Sequence, residues 1–244
     1  MLSIEHLSKV YDRNRTALDD VSFQIEPHTF TAILGPSGAG KSTLMRCILQ
    51  LIKPTEGQVY FQGQNLTTCS ARELRQARTQ MATIAQQFNL VRRRTALENC
   101  LGGRLQDLSL WRCWLNQFPP ELLREGMAAL ERVQLLDVAF QRADRLSGGQ
   151  QQRVAIARAL TQRASLILAD EPVASLDPET AHTVLGLLRS LCRNEGLTVV
   201  CNLHQVDLAL KYGDRILGIQ AGKLVLDRPT SQVSATSLDL IYKS

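Results

Sequence analysis

The sequence contains no apolar run close to the ~20 residues that cross a bilayer. Its first residues, MLSIEHLSKVYDRN, lack the basic stretch followed by an apolar stretch that marks a secretion signal. We therefore expect a cytosolic chain. The 6 cysteines (Cys47, Cys69, Cys100, Cys113, Cys192, Cys201) never fall as Cys-x-x-Cys, so they read as free thiols and not as a zinc site or disulfide framework. Aromatic residues are scarce at 5%, and there is no internal repeat or low-complexity linker. Neither charge sign dominates: Lys plus Arg is 28, Asp plus Glu is 23, and the net charge is +5. Such mild basicity fits an anionic ligand, nucleic acid or a membrane surface and selects none of them. At 44% hydrophobic and 21% charged over 244 residues, the composition excludes a disordered or collagen-like chain and allows a single compact domain.

What is present is an alternation of strand and helix patterns. Residues 3–34 are strand-rich. Val21-Ser-Phe-Gln-Ile25 alternates with the period of a half-buried strand, and Phe30-Thr-Ala-Ile-Leu34 is a short apolar run ending on glycine, as a fully buried strand reads. Leu44, Ile48, Leu51 and Ile52 follow at helical spacing, which predicts a helix over 41–52 closed by Pro54 and Gly57. Strand signal returns at Gly57-Gln-Val-Tyr-Phe61. Residues 88–157 switch to helical period, with Leu123, Met127, Leu130 and Val133 on one face, and read as a helical subdomain inserted into an α/β core. The core resumes with Leu166-Ile-Leu-Ala169 and a helix started by Asp177-Pro178. That helix carries Val184, Leu187, Leu188 and Leu191 on its apolar face and is closed by Gly196; Thr198 to Leu203 then forms a third buried strand. Strands and helices at this spacing imply a mostly parallel sheet with right-handed crossovers.

The chemistry concentrates first in Gly35-Pro36-Ser37-Gly38-Ala39-Gly40-Lys41-Ser42-Thr43. This matches G-x-x-x-x-G-K-[ST] between a buried strand and a helix. Glycines let successive N–H groups turn toward one anion, and the helix start adds its positive dipole end. Lys41 supplies a mobile positive charge for outer phosphates, and the Ser42 hydroxyl can ligate Mg²⁺. Asp170 and Glu171 end the second buried strand, where ligand crevices form in parallel sheets. Asp170 is placed to hold Mg²⁺ directly or through water, and Glu171 to polarise an attacking water. The chain has no Asn-Lys-x-Asp guanine reader. Ser147, Gly148, Gly149 and Gln150 open a further helix with Ser147 as its N-cap, a second anion-binding helix end. One nucleotide cannot readily use both ends within one chain, so the economical arrangement is a head-to-tail pair of chains.

These motifs, in this order, resemble the ATP-binding cassette ATPases over nearly the whole chain. Gly35–Thr43 is similar to that family's Walker A motif, Leu146–Gln150 to its signature, and Leu166–Asp170 to Walker B. The resemblance implies an α/β P-loop core with a mostly parallel sheet, an N-terminal antiparallel β part and an inserted helical subdomain within one domain, 1–244. It implies Glu171 as the catalytic carboxylate, His204 as the switch histidine, Gln86 as the Q-loop glutamine that senses Mg²⁺, Tyr11 as the aromatic that stacks on adenine, and Ser175-Leu-Asp177 as the D-loop. It further implies ATP and Mg²⁺ as cofactors, and a homodimer at the cytoplasmic face of the inner membrane. There the pair would work with integral membrane permease subunits and, through them, with an extracytoplasmic solute-binding protein.

Finer phrases resemble the phosphonate-importer branch: Gln86-Gln-Phe-Asn-Leu-Val91, Thr95-Ala-Leu-Glu-Asn99, Ala169 to Pro178, and Leu203-His-Gln-Val-Asp207. The aromatic stretch Trp111 to Phe118 is a further likeness. Trp111, Trp114 and Phe118 fall at i, i+3, i+7, one stripe of a helix, which reads either as subdomain core or as contact with a permease. Arg92-Arg93-Arg94 reads as a solvated face or as a contact for acidic permease residues or anionic lipid. An importer for another solute, such as an amino acid, is the alternative. Nucleic-acid-acting cassette ATPases would bring long coiled-coil insertions, zinc cysteines or two cassettes in one chain, none of which occurs here, so no nucleic-acid partner is expected.

Overall fold

The computed structural model describes residues 1–11, 15–115 and 117–242. Strands β1 (Leu2–Tyr11), β2 (Arg15–Ile25), β4 (Glu56–Phe61) and β5 (Gln64–Asn65) form an antiparallel sheet in the order β2-β1-β4-β5. A second sheet runs β10-β9-β3-β8-β7-β6. It is built from β3 (Phe30–Leu34), β6 (Met81–Ala85), β7 (Leu166–Asp170), β8 (Thr198–Asn202), β9 (Arg215–Gln220) and β10 (Lys223–Pro229). Strands β9, β3, β8, β7 and β6 are parallel to their neighbours, and β10 closes one edge antiparallel.

The parallel strands are covered on both faces, which is why they read as apolar runs without alternation. Successive residues point to opposite sides. Ile33, Leu166, Leu168 and Val200 join a core shared with the antiparallel sheet and helix α1 (Lys41–Ile48). Leu34, Ile167, Ala169, Val199 and Cys201 join the other core, whose helices include α3 (Ala96–Leu101), α5 (Pro120–Arg132), α6 (Gly148–Thr161), α7 (Pro178–Glu195) and α8 (Val206–Tyr212). Helix α2 (Ala71–Thr79) leads into β6, and α9 (Ala235–Tyr242) packs its Ile241 beside β9. The helices α3, α4 (Leu110–Trp114), α5 and α6 all lie in the chain between β6 and β7, which are direct neighbours in the sheet.

Local chemistry explains the helix boundaries. Thr95 and Glu98 close a reciprocal capping box on α3, and Ser147 with Gln150 does the same on α6. Helix α7 starts on Asp177 and Pro178 and ends at Gly196, which takes a left-handed φ of 67°. The helix expected over 41–52 stops earlier, at Ile48. Gln50 adopts φ 53°, Arg78 donates to the carbonyls of Leu49 and Gln50 at 2.9 and 2.8 Å, and Leu51 is left exposed.

The aromatic stretch also differs from a single buried stripe. Helix α4 ends at Trp114, Asn116 lies outside the described residues, and Phe118 packs half-buried against the helical core. Trp111 and Trp114 are 74% and 76% exposed, which overturns their reading as core. Their rings meet edge to face at 6.1 Å, beside exposed Leu110 and Leu115. All six cysteines are free; burial pushes the Cys47 thiol up to about 11, consistent with inert packing groups.

Candidate active site

The carboxyl ends of β3, β8, β7 and β6, four neighbours in the parallel sheet, carry the site side by side. After β3 comes the Gly35–Thr43 loop, after β8 His204, after β7 Asp170 and Glu171, and after β6 Gln86.

The loop is fitted tightly beneath β2. Gly40 has φ 109°, and a Cβ there would stand 2.4 Å from the Ala17 carbonyl oxygen, so only glycine suits the position. Gly40 is also the N-cap of α1 and offers no side chain to the first turn, which leaves those N–H groups for an anion. Ser37 to Thr43 line a cleft of about 320 Å³ together with Arg15, Thr16, Ala17 and Glu171. The Lys41 ammonium, 4% exposed, donates to the Gly35 and Pro36 carbonyls at 2.7 and 3.1 Å. Burial lowers its pKa, while the charges of Glu171 and Asp170 pull it back up.

Ser42 Oγ donates to Asp170 Oδ1 at 3.2 Å, and Asn202 Nδ2 donates to the same oxygen at 2.6 Å. His204 Nε2 lies 2.5 Å from Glu171 Oε1. Glu171 takes φ 53°, a left-handed conformation unusual for a residue with a Cβ. That turn ends β7 and swings the carboxylate to where it lines the phosphate-loop cleft as well as a smaller one formed with His204 and Asn202. Gln86 lines a third recess with Ser42, Asp170 and Glu171, which gathers a hydroxyl, two carboxylates and an amide around one space.

Other expected residues stand apart from this edge. Ser147, Gly148, Gly149 and Gln150 do not line the cleft. Ser147 Oγ accepts from Gln150 N at 3.2 Å, and Ser147 N donates to Gln150 Oε1 at 2.9 Å. A Cβ on Gly149 would lie 2.2 Å from Thr180 Cγ2, so α6 and α7 meet through a glycine. Asp177 caps α7 by accepting from Thr180 N at 3.0 Å. Tyr11 does not line the cleft either; it pairs with Arg15, which does, and Lys9 Nζ stands 5.3 Å from its ring centre.

Six contributors were not singled out in the sequence. Arg15, Thr16 and Ala17 reach the cleft only because β2 folds over the loop, a pairing no local pattern announces. Arg158 on α6 donates to the carbonyls of Asn89 and Phe88 at 2.6 and 3.4 Å, both residues having positive φ, and burial lowers its pKa. This cation braces the segment after Gln86. Thr180 and Asn202 complete the set. Asn202 carried a signal, a polar amide at the end of an apolar strand.

A P-loop beside an acidic strand end and a histidine defines a nucleoside triphosphate hydrolase. Comparison with known proteins refines the class. A model of the ABC transporter family matches residues 18–174. The chain is 50% identical to a phosphonates import ATP-binding protein of Trichodesmium erythraeum, covering 100% of this chain and 93% of that protein. It is 45% identical to one of Halalkalibacterium halodurans, covering 99% and 94%. Among solved structures, a dimeric ATP-binding cassette in a post-hydrolysis state with ADP and phosphate is 33% identical with a TM-score of 0.82, over 94% of this chain and 99% of that one. The ADP conformation of another ABC transporter cassette gives 27% identity and a TM-score of 0.85, over 100% and 99%. The chain belongs to the ABC transporter family, as an ATP-binding and ATP-hydrolysing cassette.

Proposed function

We propose that this ATPase powers the import of phosphonates or a related phosphorus oxyanion such as phosphite. The observation that supports the engine is the convergence of Lys41, Ser42, Asp170, Glu171 and His204 at neighbouring strand ends. The cargo rests on full-length similarity to phosphonates import ATP-binding proteins, 50% in one case. In this reading the N–H groups of Ser37 to Thr43, which line the cleft, and the Lys41 ammonium hold the phosphates of ATP, with Tyr11 beside the base. Ser42, Asp170 and Gln86 supply the oxygen donors that a magnesium ion takes, and their closeness around one recess fits that ion. When bound, the ion neutralises charge on the phosphates. Glu171 accepts a proton from the attacking water, and His204 holds the Glu171 carboxylate in place.

Ser147–Gln150 and Asp177 serve the nucleotide of a second copy, so the working unit is a homodimer with shared sites. Residues 1–244 act as one ATPase domain, with 88–157 as its helical subdomain. The pair sits on permease subunits at the cytoplasmic face of the membrane, and through them serves a solute-binding protein. The exposed Trp111–Trp114 edge borders the permease side, because Cys113 between the two tryptophans lines a cleft of about 320 Å³ with Val91 and Arg94 from the segment that follows Gln86.

The test is growth and uptake in cells that lack this chain. They should fail on a phosphonate or phosphite as sole phosphorus source, grow on phosphate, and regain radiolabelled phosphonate or phosphite uptake when the chain is restored. Intact uptake of both, with lost import of an amino acid, would reject the cargo and leave the ATPase standing.

A further inference from the structure

Strand β8 is buried at every position, and its last residue does not match the rest. Asn202 is 0% exposed. Its Oδ1 has no hydrogen-bond partner among the described residues, and its Nδ2 donates to Asp170 Oδ1 at 2.6 Å. The orientation follows from the chemistry: a carboxylate only accepts, so the amide must turn its NH₂ toward it. The parallel register sets Asp170 directly opposite Asn202. A buried acceptor left unpaired is unfavourable, and leucine or valine would fill this strand end without that cost. A residue that conflicts with its strand in this way calls for a functional reason.

Asp170 supplies one. Its Oδ1 takes a second hydrogen bond from Ser42 Oγ at 3.2 Å. Ser42 stands at the start of α1 and Asn202 at the end of β8, so two separate elements fix the same oxygen. Neither donor touches Oδ2. With two donors on Oδ1, the carboxylate is held in one orientation that leaves Oδ2 to a ligand.

We propose that Asn202 is a positioning residue that orients Asp170 toward the divalent cation accompanying ATP, and that it is kept for metal affinity at the expense of strand stability. This rests on the magnesium reading given above. Partners that orient a ligating carboxylate typically contribute about 10–100-fold to metal affinity. Asn202→Leu keeps the branched shape of the side chain, with bulkier ends, and removes the donor. Asn202→Val, smaller and suited to a buried strand, provides a second variant if the first does not fold.

The experiment titrates purified chain with a fluorescent ATP analogue, once with Mg²⁺ and once with EDTA, and records thermal melting of each variant. For the natural chain, Mg²⁺ should tighten binding. For the variants, affinity in EDTA should stay within about twofold, the gain from Mg²⁺ should shrink by about 10–100-fold, and the melting temperature should hold or rise. Substituting Mn²⁺ and following its electron paramagnetic resonance signal should show the same loss directly. A variant that keeps the full Mg²⁺ gain overturns the proposal. So does one whose melting temperature and EDTA affinity fall together with the Mg²⁺ affinity, because that pattern marks a purely structural role. If the natural chain itself binds the analogue equally with and without Mg²⁺, the magnesium reading fails first and this role falls with it.

Discussion

Two helices of this protein begin on glycine-rich segments, and they begin differently. Helix α1 follows Gly40 with no side chain on its first N–H groups, and Arg15 to Ala17, Lys41 and Glu171 of the same chain enclose the space before it. Helix α6 follows Ser147, whose hydroxyl and amide are both engaged with Gln150, and its first residues line no part of that cleft. The first end opens onto a pocket built by its own chain. The second is capped by its own side chains. In the proposed homodimer this division assigns the second end to the nucleotide of another copy; the related post-hydrolysis cassette was solved as a dimer.

The largest change should come from altering the chemistry of the first end without its binding. Glu171→Gln keeps the shape and removes the base, so hydrolysis should fall by at least ~10²-fold while ATP titration stays near normal. Steady-state turnover within the assembled transporter, measured beside nucleotide binding, checks both halves; near-normal turnover removes Glu171 from its role. A smaller effect is expected where the second end meets α7. Gly149→Ala drives a Cβ to 2.2 Å from Thr180 Cγ2 and should cost about 1–3 kcal/mol of stability. Adding Thr180→Ser deletes that methyl and should restore most of the loss in denaturant melts. If it restores nothing, the contact is not what demands glycine.

The smallest effect concerns a third helix start. Asp177 caps α7, and the Thr180 side chain and then its N–H hold the carboxyl below the usual range. Its stabilising contribution is present above the unfolded value of about 3.9 and is lost as pH falls through the lower folded value. Asp177→Ala should therefore melt below the natural chain at neutral pH, and the two curves should converge under acid. A constant gap down to pH ~2 would show that charge plays no part in the cap.

The pocket at the first end was legible in the sequence because its parts are contiguous. A buried strand, a glycine loop and a helix start sit within Phe30–Ile48, and each obeys its own local rule. The start and end of α7 were legible for the same reason, through Asp177, Pro178 and Gly196. What was not legible depends on elements far apart in the chain. The roof of the cleft at Arg15–Ala17 exists because β2 crosses over the loop. Of the expected stripe Leu123, Met127, Leu130 and Val133, the last two are buried and Met127 packs half-buried, but Leu123 is exposed; Leu122, Gly126 and Ala129 also face inward, with Leu97 and Leu101 of α3 against Gly126. The two tryptophans follow helical spacing, yet α4 is too short and too exposed to bury them. Periodicity reports which residues share a face and is silent on whether anything lies against it.

The left-handed backbone at Glu171 has a consequence for how this protein tolerates change. At φ 53° a glycine or asparagine rests more comfortably than a glutamate, by about 1 kcal/mol or more for glycine. A screen that rewards only heat resistance or expression would therefore drift toward side chains there that cannot take a proton from water. On the proposed role of Glu171, the most attractive thermostabilised descendants of this chain would include inert ones, and a library built for robustness must hold residue 171 fixed.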